Sequence, residues 1–220
     1  MTYPNVTSAV FLERPNRLIA RVAVDGRTET VHVKNTGRCR ELLRPGAEIW
    51  LTAPGTPGRK TAYDLIAVKK DAGALFNIDS QAPNAAVGEW LRGRGFDLIR
   101  PEYRYGDSRV DFYMDKNGER FLLEVKGCTL EIGGVGYFPD APTQRGAKHL
   151  YELIRAKEEG FHAALAFVIQ TEGVTEVRPN EATDPAFARA FAAARQAGVA
   201  ILFLPCRVTP EELTVLAGDL

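Results

Sequence analysis

The chain has 220 residues, 45% of them hydrophobic and 25% charged, and its 28 Lys and Arg residues balance its 28 Asp and Glu residues. This length allows one large domain or two small ones, and we expect two. No segment approaches eighteen consecutive apolar residues, and the first residues lack a leader pattern, so we expect a cytoplasmic protein with no membrane partner. The three cysteines are far apart and include no Cys-x-x-Cys pair, which argues against a disulfide framework or a zinc cluster.

The charge is divided unevenly along the chain. Residues 1–78 contain 12 Lys or Arg against 7 Asp or Glu, a net charge of +5, and residues 79–220 therefore carry −5. The basic excess fits a surface that faces phosphates, although a merely solvated basic face is an equal alternative. Its members are Arg14, Arg17, Arg21, Arg27, Lys34, Arg38, Arg40 and Arg44.

Residues 1–78 read as short strands separated by turn signals. Asp25-Gly26 between two apolar runs is a strong hairpin signal. We therefore predict a small antiparallel barrel, a fold that often binds oligonucleotides. The predicted strands cover 8–13, 17–24, 28–33, 47–52, 62–70 and 74–78.

One segment of this barrel has a composition suited to phosphate contacts. Lys34, Asn35, Thr36 and Arg38 surround the flexible Gly37, so cations and short polar side chains lie together. The alternative is a plain turn in which Asn35 bonds its own backbone.

Residues 79–220 alternate between helical and strand patterns, which predicts an α/β domain. The run at 163–169 is almost entirely apolar, as expected for a central strand covered on both faces. Asp184-Pro185 is a helix start and Gly198 a helix stop. Predicted helices begin near 84, 142 and 185, and predicted strands cover 98–105, 109–114, 120–126, 163–169 and 199–204.

The strands at 109–114 and 120–126 carry the most informative residues. Alternation places Asp111 away from the apolar stripe of its strand, and it places Glu124 and Lys126 together on the polar face of the next strand. Carboxylates and backbone carbonyls suit Mg²⁺ or Mn²⁺, so Asp111, Glu124 and the Val125 carbonyl are candidate metal ligands, with Lys126 beside the nucleophile. The alternative is an ordinary solvent-facing hairpin whose charges pair across the strands.

Two helices offer further candidates. Arg145, Lys148 and His149 share one arc of the helix that begins near 142, where they could hold a phosphate, or they form a solvated helix face. Glu89 lies at the edge of the apolar stripe of the first helix and is either a third metal carboxylate or a surface residue. Asp140 is expected to cap the helix that follows it.

Four longer strings resemble the sugar fermentation stimulation protein A family and occur in the family's order: HVKNTGR at 32–38, SRVDF at 108–112, EVKGCTL at 124–130 and YFPDAPTQRGAKHL at 137–150. The resemblance implies an oligonucleotide-binding (OB) type barrel followed by a mixed-sheet domain similar to PD-(D/E)xK nucleases. It also implies nonspecific DNA binding linked to sugar, notably maltose, metabolism. By motif, Asp111 and Glu124 look like the metal acids, Lys126 the catalytic lysine and Glu89 the helix glutamate.

The sequence therefore predicts a nucleic-acid-binding protein, with DNA as the expected partner and a divalent-metal-dependent nuclease site that uses Mg²⁺ or Mn²⁺. The alternative is a DNA-binding regulator of sugar genes without catalytic activity. A sequence-specific repressor is disfavoured, because no basic recognition helix follows a short turn.

Overall fold

The first unit is a closed barrel of five strands with one added strand. In the computed structural model, which describes residues 1–35, 37–70, 73–216 and 218, the sheet order is β3-β2-β1-β4-β5-β6. A short parallel pairing of β3 with β5 closes the barrel, and bulges let β1 bend so that it pairs with both β2 and β4. All six predicted strands are present, and the predicted barrel is confirmed. They are β1 (Val6–Asn16), β2 (Ile19–Val24), β3 (Arg27–Val33), β4 (Glu48–Thr52), β5 (Asp64–Lys69) and β6 (Leu75–Asn77).

Alternation along the strands fills the barrel. In β2, Ala20, Val22 and Val24 are buried in the core, whereas Arg21 between them points outward. The β2–β3 turn has Asp25 at φ +48° and Gly26 at φ +73°, the backbone that a two-residue turn matched to strand twist requires. The hairpin predicted from Asp25-Gly26 is therefore confirmed.

The second unit is a mixed sheet between helices. Its order is β15-β14-β12-β9-β8-β7, with β12 parallel to both β14 and β9 and the remaining neighbours antiparallel. Strand β12 is central, and its alternate residues enter two separate cores, one shared with α2 and α3 and the other with α1. The predicted α/β architecture is confirmed. Its elements are α1 (Ala82–Arg92), β7 (Leu98–Tyr105), β8 (Ser108–Lys116), β9 (Glu119–Cys128), β10 (Leu130–Ile132), β11 (Val135–Phe138), α2 (Gln144–Glu158), β12 (His162–Ile169), β13 (Val177–Pro179), α3 (Pro185–Gln196), β14 (Ala200–Thr209) and β15 (Glu212–Val215).

Several short strands were not predicted. The glycine-rich segment at 133–136 holds the turn of a β10–β11 hairpin, and β11 pairs in parallel with β13. Strands of three or four residues are too short to show a periodicity. Tyr151 on α2 is 54% exposed, because Leu150, Leu153 and Ala156 define the buried face.

The start of the chain packs on the second unit rather than on the barrel. Thr2 bridges to Glu212, and Met1 and Tyr3 pack against the core that α1 covers. The first residues therefore contact the second unit although they precede the barrel in the chain, and periodicity in the sequence does not show which sheet edge such a segment joins.

No helix in the described part of the chain is long and apolar enough to cross a membrane. Cys39, Cys128 and Cys206 are buried free thiols, and burial raises the pKa of each to about 12.

Candidate active site

The β8–β9 hairpin fixes the position of Asp111. The two strands pair from Lys116 and Glu119 at the turn as far as Phe112 and Leu123. Beyond that point the Val125 N–H on β9 bonds to a side chain of β8 instead of to its backbone. The acceptor is the Asp111 Oδ2, at 2.7 Å. The N–H and C=O groups of one strand residue leave the strand on the same side, so the Val125 carbonyl also faces the Asp111 side.

Glu124 is a buried carboxylate with two cationic or titratable neighbours. Its side chain is 2% exposed, and its Oε1 contacts the Lys126 Nζ at 2.5 Å and the His149 Nδ1 at a shorter distance. Burial raises the pKa of Glu124, but the His149 hydrogen bond and the Lys126 charge outweigh burial, and the pKa is lowered overall. Its Oε2 is buried and has no hydrogen-bond partner.

The pKa of Asp111 is shifted in the opposite direction, upward. Burial raises its pKa, and the negative charge of Glu124 raises it further, against the opposing effect of Lys126. Its Oδ1 accepts a hydrogen bond from the Asn84 Nδ2 on α1 at 2.7 Å. The pair therefore consists of one carboxylate stabilised in its charged form and one that holds its proton to higher pH.

These side chains line a single cavity of about 1160 Å³ between the two units. Barrel residues form one wall, the β7–β8 hairpin another, and the first turns of α2 a third. Each wall contributes cationic side chains: Arg17 from the barrel, Arg104 and Arg109 from the hairpin, and Arg145 and Lys148 from α2. The residues predicted from sequence that line it are Asn35, Asp111, Glu124, Val125, Lys126, Arg145, Lys148 and His149.

Glu89 is not brought to this cavity. Its side chain is 52% exposed, and its Oε2 pairs with the amino group of Met1 at 2.7 Å. The face of α1 that carries Glu89 turns toward the chain terminus, whereas Asn84 is the α1 residue that reaches Asp111. Glu89 is therefore removed from the candidate metal ligands.

The predicted phosphate segment of the barrel is largely occupied by internal contacts. Lys34 pairs with the buried Asp79 at 2.7 Å, and the Arg38 side chain is exposed and does not line the cavity. The Asn35 Oδ1 accepts a hydrogen bond from the Gly37 N–H at 2.6 Å, which is the turn considered as the alternative. Thr36 lies outside the described residues.

The wider basic surface is also partly used within the fold. Arg14 donates to four main-chain carbonyls, and Arg21 pairs with Glu13 at 2.7 Å. Arg14 and Arg21 are therefore structural cations, and Arg17 is the member of that group that lines the cavity.

Asp140 does not cap α2. Thr143 does so, because its Oγ1 accepts a hydrogen bond from the Gly146 N–H at 3.1 Å. The Asp140 Oδ2 instead accepts from the N–H groups of Arg38 at 2.6 Å and Cys39 at 2.9 Å, which joins the second unit to the barrel.

Sequence reasoning missed Asn84, Arg104 and Arg109. Asn84 had one signal, its polar character next to an apolar helix stripe. Alternation places Arg109 on the Asp111 face of β8, so its direction was available from the sequence. Arg104 follows Glu102, whose φ of +51° departs from regular strand geometry.

The donor set fits a hard divalent cation in part. Within the part of the chain that is described, no group of three or more His, Cys, Asp or Glu side chains is arranged to hold a metal ion. The site nevertheless offers oxygen donors of the kind that Mg²⁺, Mn²⁺ and Ca²⁺ bind: the unpartnered Oε2 of Glu124, the Asp111 carboxylate and the Val125 carbonyl. Three protein donors are compatible with Mg²⁺, because Mg²⁺ keeps several waters in its coordination shell.

Comparison with known proteins gives a consistent result. Residues 81–212 match the family model described as "Sugar fermentation stimulation protein RE domain", and residues 12–78 match the "SfsA N-terminal OB domain". The chain is 46% identical to a sugar fermentation stimulation protein homolog of Desulfitobacterium hafniense, with 100% of this chain and 96% of that protein covered. It is 47% identical to a homolog from Clostridium perfringens, with 96% and 94% covered. The solved structure of Pyrococcus furiosus SfsA in complex with Ca²⁺ matches with a TM-score of 0.86 at 28% identity, covering 99% of this chain and 96% of that one.

Proposed function

The chain belongs to the sugar fermentation stimulation protein family, and from this premise we propose that it is a nucleic-acid-binding protein with a divalent-metal-dependent phosphodiesterase site. The observation that carries the proposal is the buried Glu124, which has one oxygen paired with Lys126 and the other unpartnered, beside Asp111 in a cavity with cationic walls. A buried carboxylate without its full set of partners is unfavourable unless something binds it.

The proposed ligands are Asp111, Glu124 and the Val125 carbonyl, and the Ca²⁺ complex of the P. furiosus relative supports a divalent ion at this fold. When bound, Mg²⁺ or Mn²⁺ lowers the pKa of a coordinated water and offsets charge that develops on the phosphodiester. Lys126 orients the nucleophile next to Glu124, and His149 holds the Glu124 Oε1 so that its Oε2 stays free. Arg145 and Lys148 hold the phosphate backbone.

The barrel is proposed to collect the nucleic acid, because small barrels of the OB type commonly bind oligonucleotides. DNA is the proposed substrate, and the family name supports a proposed physiological role in sugar use. The sequence-based expectation of a cytoplasmic location agrees with access to DNA. A DNA-binding regulator without catalytic activity is the second candidate, favoured by the lack of a three-residue metal cluster among the described residues.

Cleavage of labelled single- and double-stranded DNA and RNA with Mg²⁺ or Mn²⁺ tests the proposal. We expect wild type to cut and Glu124→Ala to lose at least about 100-fold in rate, a typical loss for a group that acts in catalysis. Glu119→Ala is the matched control, because Glu119 is an exposed glutamate on the same strand. Binding without cleavage by wild-type protein in every metal would favour the regulator.

A further inference from the structure

A fixed segment of the barrel closes one side of the cavity. We call residues 35 and 37–39 the strut. The Arg14 guanidinium donates hydrogen bonds to the carbonyl oxygens of Asn35 at 2.6 Å, Gly37 at 3.0 Å and Arg38 at 2.8 Å. Its fourth bond, to the Arg17 carbonyl at 2.7 Å, ties the strut to the β1–β2 turn. Charge-assisted bonds of this kind hold the strut in one conformation.

The strut is also fixed to the second unit. The Asp140 carboxylate accepts from two strut N–H groups, and within the barrel the Asn35 Nδ2 donates to the Ile78 carbonyl at 2.8 Å. A Cβ on Gly37 would lie 2.8 Å from the Asn35 Oδ1 and 2.9 Å from the Asp140 Oδ2, so the packing here leaves no spare space. The strut is therefore hydrogen-bonded to the barrel and to the second unit where it borders the cavity.

The acids lie within the walls that the strut, the β7–β8 hairpin and α2 provide. Glu124 is 2% exposed, so a scissile phosphate must enter the cavity to reach it. The cavity volume of about 1160 Å³ is close to the upper range of small-ligand pockets, roughly 1,000 Å³, and it accommodates a few nucleotides. For a continuous duplex to reach the same depth, walls on three sides would have to enter its grooves, which are about 12 Å (major) and about 6 Å (minor) wide, whereas a single backbone meets no such requirement.

The lining chemistry suits an unpaired strand. Cations approach from all three walls, so a single backbone is contacted from several directions, and the half-buried Tyr137 offers an aromatic face for an unstacked base. Watson–Crick pairing would keep that base inside its own stack and away from Tyr137.

From the closed wall and this lining, we infer that the substrate reaching Asp111 and Glu124 is single-stranded nucleic acid, or an unpaired stretch within a duplex, and that intact duplex is excluded. The inference rests on the proposed nuclease function where cleavage is measured. A measurement of binding tests it without that function.

The experiment compares three DNA substrates of one sequence: a single strand, a blunt duplex, and a duplex with a central unpaired bubble. We expect the single strand and the bubble to be cut at least about tenfold faster than the blunt duplex, the scale of one lost base-stacking contact. Equal rates, or faster cutting of the blunt duplex, would overturn the inference. Cleavage at the bubble should fall within the unpaired nucleotides.

A binding measurement separates the failure of this inference from the failure of the proposed nuclease. Fluorescence anisotropy in Ca²⁺ compares the single strand with the blunt duplex for wild type and Tyr137→Ala. If no substrate is cut but Tyr137→Ala weakens single-strand binding alone, the nuclease proposal fails and the inference stands. If Tyr137→Ala changes neither affinity, or both equally, the inference fails.

Loosening the strut provides an independent test. Asp140→Ala removes the acceptor of two strut N–H groups and should reduce the preference for the single strand severalfold while the variant remains folded by circular dichroism. Glu131→Gln is the matched control, because it removes an inter-unit ion pair with Lys70 that does not line the cavity. An unchanged preference in folded Asp140→Ala would show that the strut does not select the strand.

Discussion

The two site carboxylates differ in their surroundings although both are largely buried. The Glu124 Oε1 accepts a hydrogen bond from Lys126 and contacts His149. The Asp111 carboxylate accepts hydrogen bonds from the Val125 backbone N–H and from the Asn84 side chain. Burial disfavours charge at both positions, but only Glu124 has neighbours that outweigh it. The arrangement keeps one anion ready beside a lysine and holds the other in a fixed orientation.

Asn84 and Glu89 provide a matched pair of tests on one helix. Asn84→Ala should weaken divalent-ion binding by about 10- to 100-fold, the usual effect of removing a group that orients a ligand. Glu89→Ala should leave binding unchanged, because Glu89 contacts the amino group of Met1 instead. Isothermal titration with Mn²⁺ measures both. A large loss in Glu89→Ala and none in Asn84→Ala would restore the ligand set implied by the family resemblance.

Helix α2 packs on the sheet and also contributes three side chains to the site. Its buried stripe anchors it against the sheet, His149 reaches Glu124, and Arg145 and Lys148 extend from the exposed side toward the cavity. The helix begins at the Thr143 cap, so the first turn, which carries Arg145, has a defined position.

Removing the Arg145 charge should weaken DNA binding and lower the dependence of binding on salt. A phosphate contact releases about one counterion, so Arg145→Ala should reduce the slope of log affinity against log salt by about 1. Arg195→Ala on α3 is the control, because Arg195 is exposed and lies away from the cavity lining. Anisotropy titrations between 50 and 200 mM salt, roughly the range in which the effect is large, measure the slopes. Equal slopes for Arg145→Ala and wild type would exclude a phosphate contact.

The two units are joined by a network of polar contacts. Gln170 donates to the Asn77 Oδ1 at 3.0 Å, Asn77 donates to the Tyr3 hydroxyl at 2.9 Å, and Tyr3 donates to Asp79 at 3.1 Å. Burial, together with the charge of Asp79, raises the pKa of Tyr3. The cavity therefore has walls from both units in a fixed arrangement, which neither unit provides alone.

One of these inter-unit contacts predicts a pH dependence of stability. The Glu131 pKa is lowered from 4.5 by the Lys70 hydrogen bond and by the Gly134 N–H. A lowered pKa in the folded state means that the charged carboxylate stabilises the fold above pH 4.5 and that this contribution is lost as pH falls through the folded value. At pH 7, Glu131→Gln should therefore be less stable than wild type by up to about 1 kcal/mol.

Urea unfolding at several pH values measures this difference, which should shrink toward zero as the pH falls well below 4.5. A difference that stays constant from neutral to acidic pH would contradict the assignment, because only the ionised carboxylate makes the ion pair.

Local features of the fold were predictable because they depend on short-range physics. The turn at Asp25-Gly26 needs positive φ at two adjacent positions, and this dipeptide supplies it. The apolar run of β12 indicated a strand covered on both faces, and alternation placed Glu124 and Lys126 on one face. These features follow from the periods of side-chain direction and from backbone sterics, which act within a few residues.

The sequence by itself thus determined the order of the elements, the barrel followed by a mixed sheet, and the hairpin that carries Asp111, Glu124 and Lys126. Only the tertiary structure decided that Asn84, rather than Glu89, reaches Asp111, that Lys34 and Arg14 are used inside the fold, and that Asp140 joins the two units. These outcomes depend on helix rotation and on contacts between residues up to 102 positions apart. Periodicity limits the face on which a residue lies, but it contains no information on which distant group occupies the space in front of that face.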